Sequence, residues 1–319
     1  MKLKDIYSSL IKFGMKNDPR GENVAKGKLK ENAKKYNKLS RKEKDVFDKE
    51  SLTNPYADTR IYNGDLNKDI RRIMVGIDIG GEELLVADRL SQKGKRIDLV
   101  LGHHPVGAAL FGLNEVMFMQ AEILAKYGIP KEIAEKVMKE RITNVKNNVN
   151  SANATRSVAT AKLLGLAFMN AHTVADNCVD TYLQNTLDSR KPKTLKNLAD
   201  LLTAIPEYKS AAKLKVGPSI IVGKPEDKAG KIFVDMTGGT EGSENIFPRL
   251  SQAGISTIVV MHLSQKHIER VKTEYLNVVL AGHISSDNLG MNLLLDSLEK
   301  KEKFDIVNCS GFERIRRIK

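Results

Sequence analysis

The sequence predicts an α/β fold: two-lobed, mostly parallel sheets flanked by helices, with a helical basic N-terminal extension. Three observations carry this. Short apolar runs at 73–78 and 97–102 end in Asp, Gly or His and are joined by a helix-length segment, as in a strand–helix–strand unit. The same alternation returns after residue 218. Residues 1–50 instead place Ile6, Leu10, Ile11 and Phe13 near helical spacing and hold 15 Lys/Arg against 8 Asp/Glu.

Taken in order, residues 1–55 read as the basic helical extension, with turn signals at Asn17-Asp18-Pro19-Arg20-Gly21 and Asn54-Pro55. Strands are expected at 73–78 and 97–102 around a helix at 82–90. A long helical region follows from 114 to 164, broken at Gly128-Ile129-Pro130. A strand at 166–170 leads into a helix at 176–186. The basic stretch 188–215 connects to a second lobe with strands at 219–222, 231–236, 256–261 and 277–281. A helix from about Asp287 to Lys300 and a strand at 304–308 close the chain. The domain division is 56–188 plus 282–319 for one α/β lobe and 189–281 for the other.

Apolar residues make up 41% of 319, an ordinary globular share. No run approaches the roughly 20 apolar residues of a membrane span, so no membrane partner is expected. The first 15 residues lack the apolar core of a signal peptide. With two cysteines only, Cys178 and Cys309, neither a disulfide framework nor a thiolate zinc knuckle is expected, and a cytoplasmic location fits best. The net charge is +13. It is compatible with an anionic small-molecule substrate, and the basic N-terminus allows nucleic acid as a partner, although a solvated helical face is the favoured reading, by roughly two to one.

The candidate chemistry lies in the histidines. Of six, His103, His104, His172 and His283 fall just after apolar strands, in LVLGHHP, AFMNAHT and VVLAGH. Parallel sheets gather their strand C-termini on one edge, where ligands bind. His172 and His283 each precede a carboxylate by four residues, Asp176 and Asp287, a spacing that shares one helix face. Imidazole with carboxylate is a ligand set for Zn, Mn or Fe, and five such groups suit two ions. The plain readings are structural strand-end histidines and N-capping aspartates. His262 and His267 are expected in surface or core roles. The loop Thr237–Ser243 could cradle a phosphate, but it lacks a P-loop lysine and reads more simply as a tight turn.

In this order and spacing, His103-His104-Pro105, His172-Thr173-x-x-Asp176 and Gly282-His283-x-Ser285-x-Asp287 resemble the NIF-three-like family, the GTP cyclohydrolase I type 2 homologues. The resemblance covers about Arg60 onward. It implies a dinuclear metal centre held by His103, His104, Asp176, His283 and Asp287, with His172 beside it as an acid/base group. It also implies a homo-oligomer, of the hexameric kind. Asp287 stands where that family usually carries Glu, and the segment between the first two motifs is longer. The expected function is a dinuclear-metal-dependent hydrolase for a nucleotide-like, anionic or cyclic amide substrate. The alternative is a metal-binding or protein-interaction protein without catalysis.

Overall fold

A computed structural model describes residues 1–318. Two sheets form, each built round strands that are apolar on both faces, as parallel sheets require. The first has the order β1-β4-β3-β2-β9, with β1 Ile61–Asn63, β2 Arg72–Gly76, β3 Leu99–Gly102, β4 Phe168–Asn170 and β9 Asp305–Asn308. All its pairs are parallel except β1–β4. The second has the order β5-β8-β7-β6, with β5 Ser219–Val222, β6 Ile232–Asp235, β7 Thr257–Val260 and β8 Asn277–Leu280; only β5 runs antiparallel. The strands expected after residue 72 therefore form. The edge strand β1 was not expected, because Ile61–Asn63 is too short to show a period.

N-terminal helices are present: α1 (Leu3–Lys16), α2 (Glu22–Lys38) and α3 (Arg41–Val46). They differ in kind. In α1, Leu3, Ile6 and Leu10 are fully buried and join the core under the first sheet, each contributing about 2 kcal/mol. In α2 only Ala25 is buried.

The helices Thr173–Arg190 and His283–Glu299 lie between the sheets. Val174, Ala175 and Cys178 of one, with Met291, Leu294 and Leu298 of the other, pack into the core that holds the first sheet. Val179, Leu183, Leu187 and Leu289 pack into the core that holds the second. The two helices touch through backbone: a Cβ added at Gly290 would stand 2.6 Å from the Ala175 carbonyl oxygen. The C-terminal tail clasps the second of these helices, with Arg314 bonding Glu299 at 2.8 Å and Asn288 donating to the Gly311 carbonyl at 2.8 Å.

Both helices start earlier than the sequence suggested, at Thr173 and His283. Asp176 and Asp287 thus lie one turn inside their helices and cap neither of them. The second start depends on Gly282, whose φ of +105° would strain any side chain.

A candidate metal centre between the sheets

The C-terminal ends of parallel strands from both sheets meet at a cleft of about 290 Å³. His103 and His104 follow β3, His172 follows β4, and Asp78 follows β2. From the other sheet, Asp235 ends β6, His262 follows β7, and His283 follows β8.

The structure brings all six site residues predicted from sequence together. Ring centroids are 5.0 Å apart for His103–His104 and for His103–His172, and 5.2 Å for His104–His283. His103 Nε2 is 3.5 Å from Asp176 Oδ1 and 3.5 Å from Asp287 Oδ1. His104 Nε2 and His283 Nε2 lie 3.4 and 3.6 Å from Asp287 Oδ2. His172 Nε2 lies 3.8 Å from Asp176 Oδ2. Two tight groups result, His103–His172–Asp176 and His103–His104–Asp287, sharing His103. His283 stands nearer the mouth, with 41% of its side chain exposed.

Hydrogen bonding orients the imidazoles. The Nδ1 of His103 lies 3.0 Å from the Ala171 carbonyl oxygen. A carbonyl only accepts, so this nitrogen carries the hydrogen and Nε2 presents a lone pair to the cluster. The Nδ1 of His172 donates to Asp58 at 2.7 Å, and the Nδ1 of His104 to Asp78 at 2.7 Å. Carboxylates behind histidines fix the ring and raise its basicity as a ligand. Asn170 braces the array, donating to the Asp58 and His103 carbonyls at 2.7 and 3.2 Å.

The cluster therefore turns imidazole Nε2 atoms and carboxylate oxygens toward one another. Asp287 is 0% exposed, yet neither of its oxygens has a hydrogen-bond partner; Asp176 Oδ1 and Asp58 Oδ1 are likewise unpartnered. A buried carboxylate without donors is costly, and a cation is what removes the cost. The spacing fits as well. Two donors each about 2.1 Å from one tetrahedral ion lie about 3.4 Å apart, close to the separations observed. These buried His/Asp groups could hold a metal ion.

The charges are coupled. Burial pushes the Asp176 carboxyl well above the usual range. Burial also opposes ionisation of Asp287, but His103, His104 and His283 outweigh it and hold this carboxyl far below that range. His104 is pulled down by burial and pushed up more strongly by Asp287 and Asp78, to about 9.

Three contributors escaped the sequence reading. Asp58 lies in an irregular stretch before β1 and carries no periodic signal. Asp78 could have been found, because it follows the apolar run of β2. His262 was placed at the surface or in the core; its ring is 4.9 Å from that of His283 and lines the same cleft. It is exposed, within the surface role expected, but the sequence did not show that its surface is the mouth of this cleft. The loop Thr237–Ser243 is the tight turn expected, and it forms the opposite wall. Gln120 donates to the carbonyls of Gly238 and Thr240 at 2.8 and 2.6 Å, and Arg141 to that of Glu241 at 2.9 Å. Gln120 and Arg141 come from the long segment between the first two motifs, so that segment buttresses the cleft wall.

Fold and site together define a class: an α/β protein in which strand ends of two mostly parallel sheets enclose a His/Asp cluster able to hold metal. Among solved structures, the chain is similar to a NIF3 superfamily protein from Sphaerobacter thermophilus, at 28% identity over 80% of this chain and 92% of that one, with a TM-score of 0.70. The chain thus resembles the NIF3-like family in fold and, at this modest identity, in sequence. Reduced HcgD from Methanocaldococcus jannaschii also matches, at 15% identity over 84% of this chain and 94% of that one, TM-score 0.49. A Bacillus cereus protein related to NIF3 matches at 13% identity over 85% and 94%, TM-score 0.45. No family model matches the sequence, and no curated protein does.

Proposed function

We propose that this protein is a metal-dependent hydrolase whose two divalent ions are held by His103, His104, Asp176, His283 and Asp287. One observation carries the reading: the fully buried Asp287 carboxylate has no hydrogen-bond partner, and three imidazole nitrogens converge on it. Asp287 faces both His103 and His104, so its two oxygens would be available to hold the metal. When bound, paired ions lower the pKa of a water and clamp the attacking and leaving oxygens. The chain itself supplies a proton acceptor, His172 Nε2, whose other nitrogen is held by Asp58. Thr237, Thr240 and Glu241 offer polar contacts to a substrate from the facing wall.

The cleft lining informs the substrate class. It contains Asp176, Asp235 and Glu241 with four histidines, and no lysine or arginine. An anionic group would there meet His104 and the proposed ions rather than lysine or arginine, and the apolar wall of Leu110, Leu113, Val260 and Met261 suits a cyclic amide or a nucleobase-like ring. Cys178 and Cys309 are free, which supports a reducing, cytoplasmic setting. No helix among the described residues is long and apolar enough to cross a membrane.

Elemental analysis of purified protein beside Asp287→Asn tests the metal assignment. About two equivalents in the parent and near none in the variant support it; equal content in both overturns it. Turnover of cyclic amides, abolished by chelation and restored by Zn, Mn or Fe, tests the hydrolase; a metal-loaded protein inert across cyclic amides and phosphoesters overturns that part alone.

A further inference from the structure

We infer that α2 is a second binding surface, one that takes the phosphate backbone of a nucleic acid independently of sequence. The argument starts from a local rule that α2 breaks. Lys26, Lys30, Lys34 and Lys38 recur every four residues along its outer face. Like charges at that spacing repel and destabilise a helix. Each of these lysines is exposed, as are Lys28 and Lys35. The acids do not neutralise them: among the described residues only Glu22 pairs along the helix, with Lys26 at 2.7 Å.

Little else in α2 compensates, beyond an Asn32 bond to the Ser51 carbonyl at 2.9 Å and the Tyr36 ring 5.1 Å from that of Phe47. Gly27 sits in its interior with nothing within 4 Å of where a side chain would be, and glycine there weakens the helix. Burial is confined to Ala25, with Leu29 and Tyr36 half-buried on the same inward stripe. A repulsive stripe kept on a weakly anchored helix marks a place where function overrides stability.

The form of the stripe selects the partner. The four lysines make three steps of about 6 Å each along one face, a linear array of point charges. Such an array suits a linear polyanion, and Lys is a phosphate binder that acts as a point charge. A bilayer surface fits less well, because a membrane-seeking helix needs a free apolar face. Here the apolar stripe is already turned to the protein. Lys12 and Lys16 of α1, both exposed, extend the basic face.

The test is fluorescence anisotropy of the full-length, metal-loaded protein with a short labelled DNA duplex and an RNA of equal length. A salt titration between about 50 and 200 mM accompanies it. Four phosphate contacts predict a log–log slope of about −3 to −4. The double variant Lys30→Gln, Lys34→Gln should bind at least about 10-fold more weakly at 50 mM salt, with a slope smaller by about 2. Its metal content should be unchanged and its Tm equal or higher, since the substitutions relieve repulsion at exposed positions. Absence of binding at low salt, an unchanged slope in the variant, or equal binding to vesicles of phosphatidylserine would each overturn the inference.

Discussion

The cleft and α2 handle charge in opposite ways. In the cleft, a few ionisable groups from distant parts of the chain are buried together with no hydrogen-bond donors between them. On α2, many charges adjacent in sequence are spread over an exposed face and leave the fold nearly untouched. Of the whole chain's net charge of +13, α2 supplies +4 (six lysines against Glu22 and Glu31), while the cleft lining carries no lysine or arginine. Burial sets the strength of a charge; its abundance in sequence does not.

The largest effect should come from Asp287→Asn. With metal at about 1,000 times Kd, the parent should gain about 4 kcal/mol over its chelated form, and the variant almost nothing. In chelator the variant should still be the less stable near neutral pH, because the surrounding histidines hold the Asp287 carboxyl far below its usual range in the fold. Thermal melts with and without chelator measure both. Asp58→Asn leaves every proposed ligand in place but weakens the anchor of the proton acceptor His172, so metal content should be unchanged while turnover falls about 100-fold, read by elemental analysis beside kinetics.

Helix packing gives the next contrast. Gly290→Ala forces a methyl group against the Ala175 carbonyl, so it should destabilise by about 1–3 kcal/mol in urea titration. It should also weaken metal binding, because Asp176 and Asp287 ride on the two helices it pushes apart. The same change in the other region should have the opposite sign: Gly27→Ala should stabilise by about 0.5–1 kcal/mol.

A pH dependence separates Asp235 from the metal cluster. Burial, with Glu241 adding to it, raises this carboxyl to about 6. A raised carboxyl favours the folded state while protonated. That contribution is full below the unfolded value near 4 and is lost as pH rises through 6. Asp235→Asn should therefore stabilise by about 1–2 kcal/mol at pH 8, discounted for partial exposure, with the gain shrinking toward pH 4. A gain that grows on acidification would mean that the carboxylate is stabilised in the fold.

Much of this was legible in the sequence because the signals are local. An apolar run followed by histidine marks a strand end, and His-x-x-x-Asp shares a helix face; both patterns survive folding unchanged. What was not legible depends on pairing across the chain. Asp58 reaches His172 only because Arg60, Tyr62 and Asn170 pin its irregular loop beside β4. His262 joins the cleft only because two sheets oppose their strand ends, and no periodicity records which sheet faces which. The burial of α1 was likewise invisible, since amphipathic spacing shows that a face is apolar and not what covers it.

The two halves of the cluster ride on helices that approach closely at Gly290, where an added Cβ would stand 2.6 Å from the Ala175 carbonyl oxygen and 2.9 Å from Val179 Cγ2. Not even a methyl group fits there, so a larger residue at 290 would have to widen the gap. The separation of Asp176 and Asp287 works as a machined clearance, and ions of different radius would have to match it. Selection among metals would then be written in the helix contact as much as in the ligands themselves.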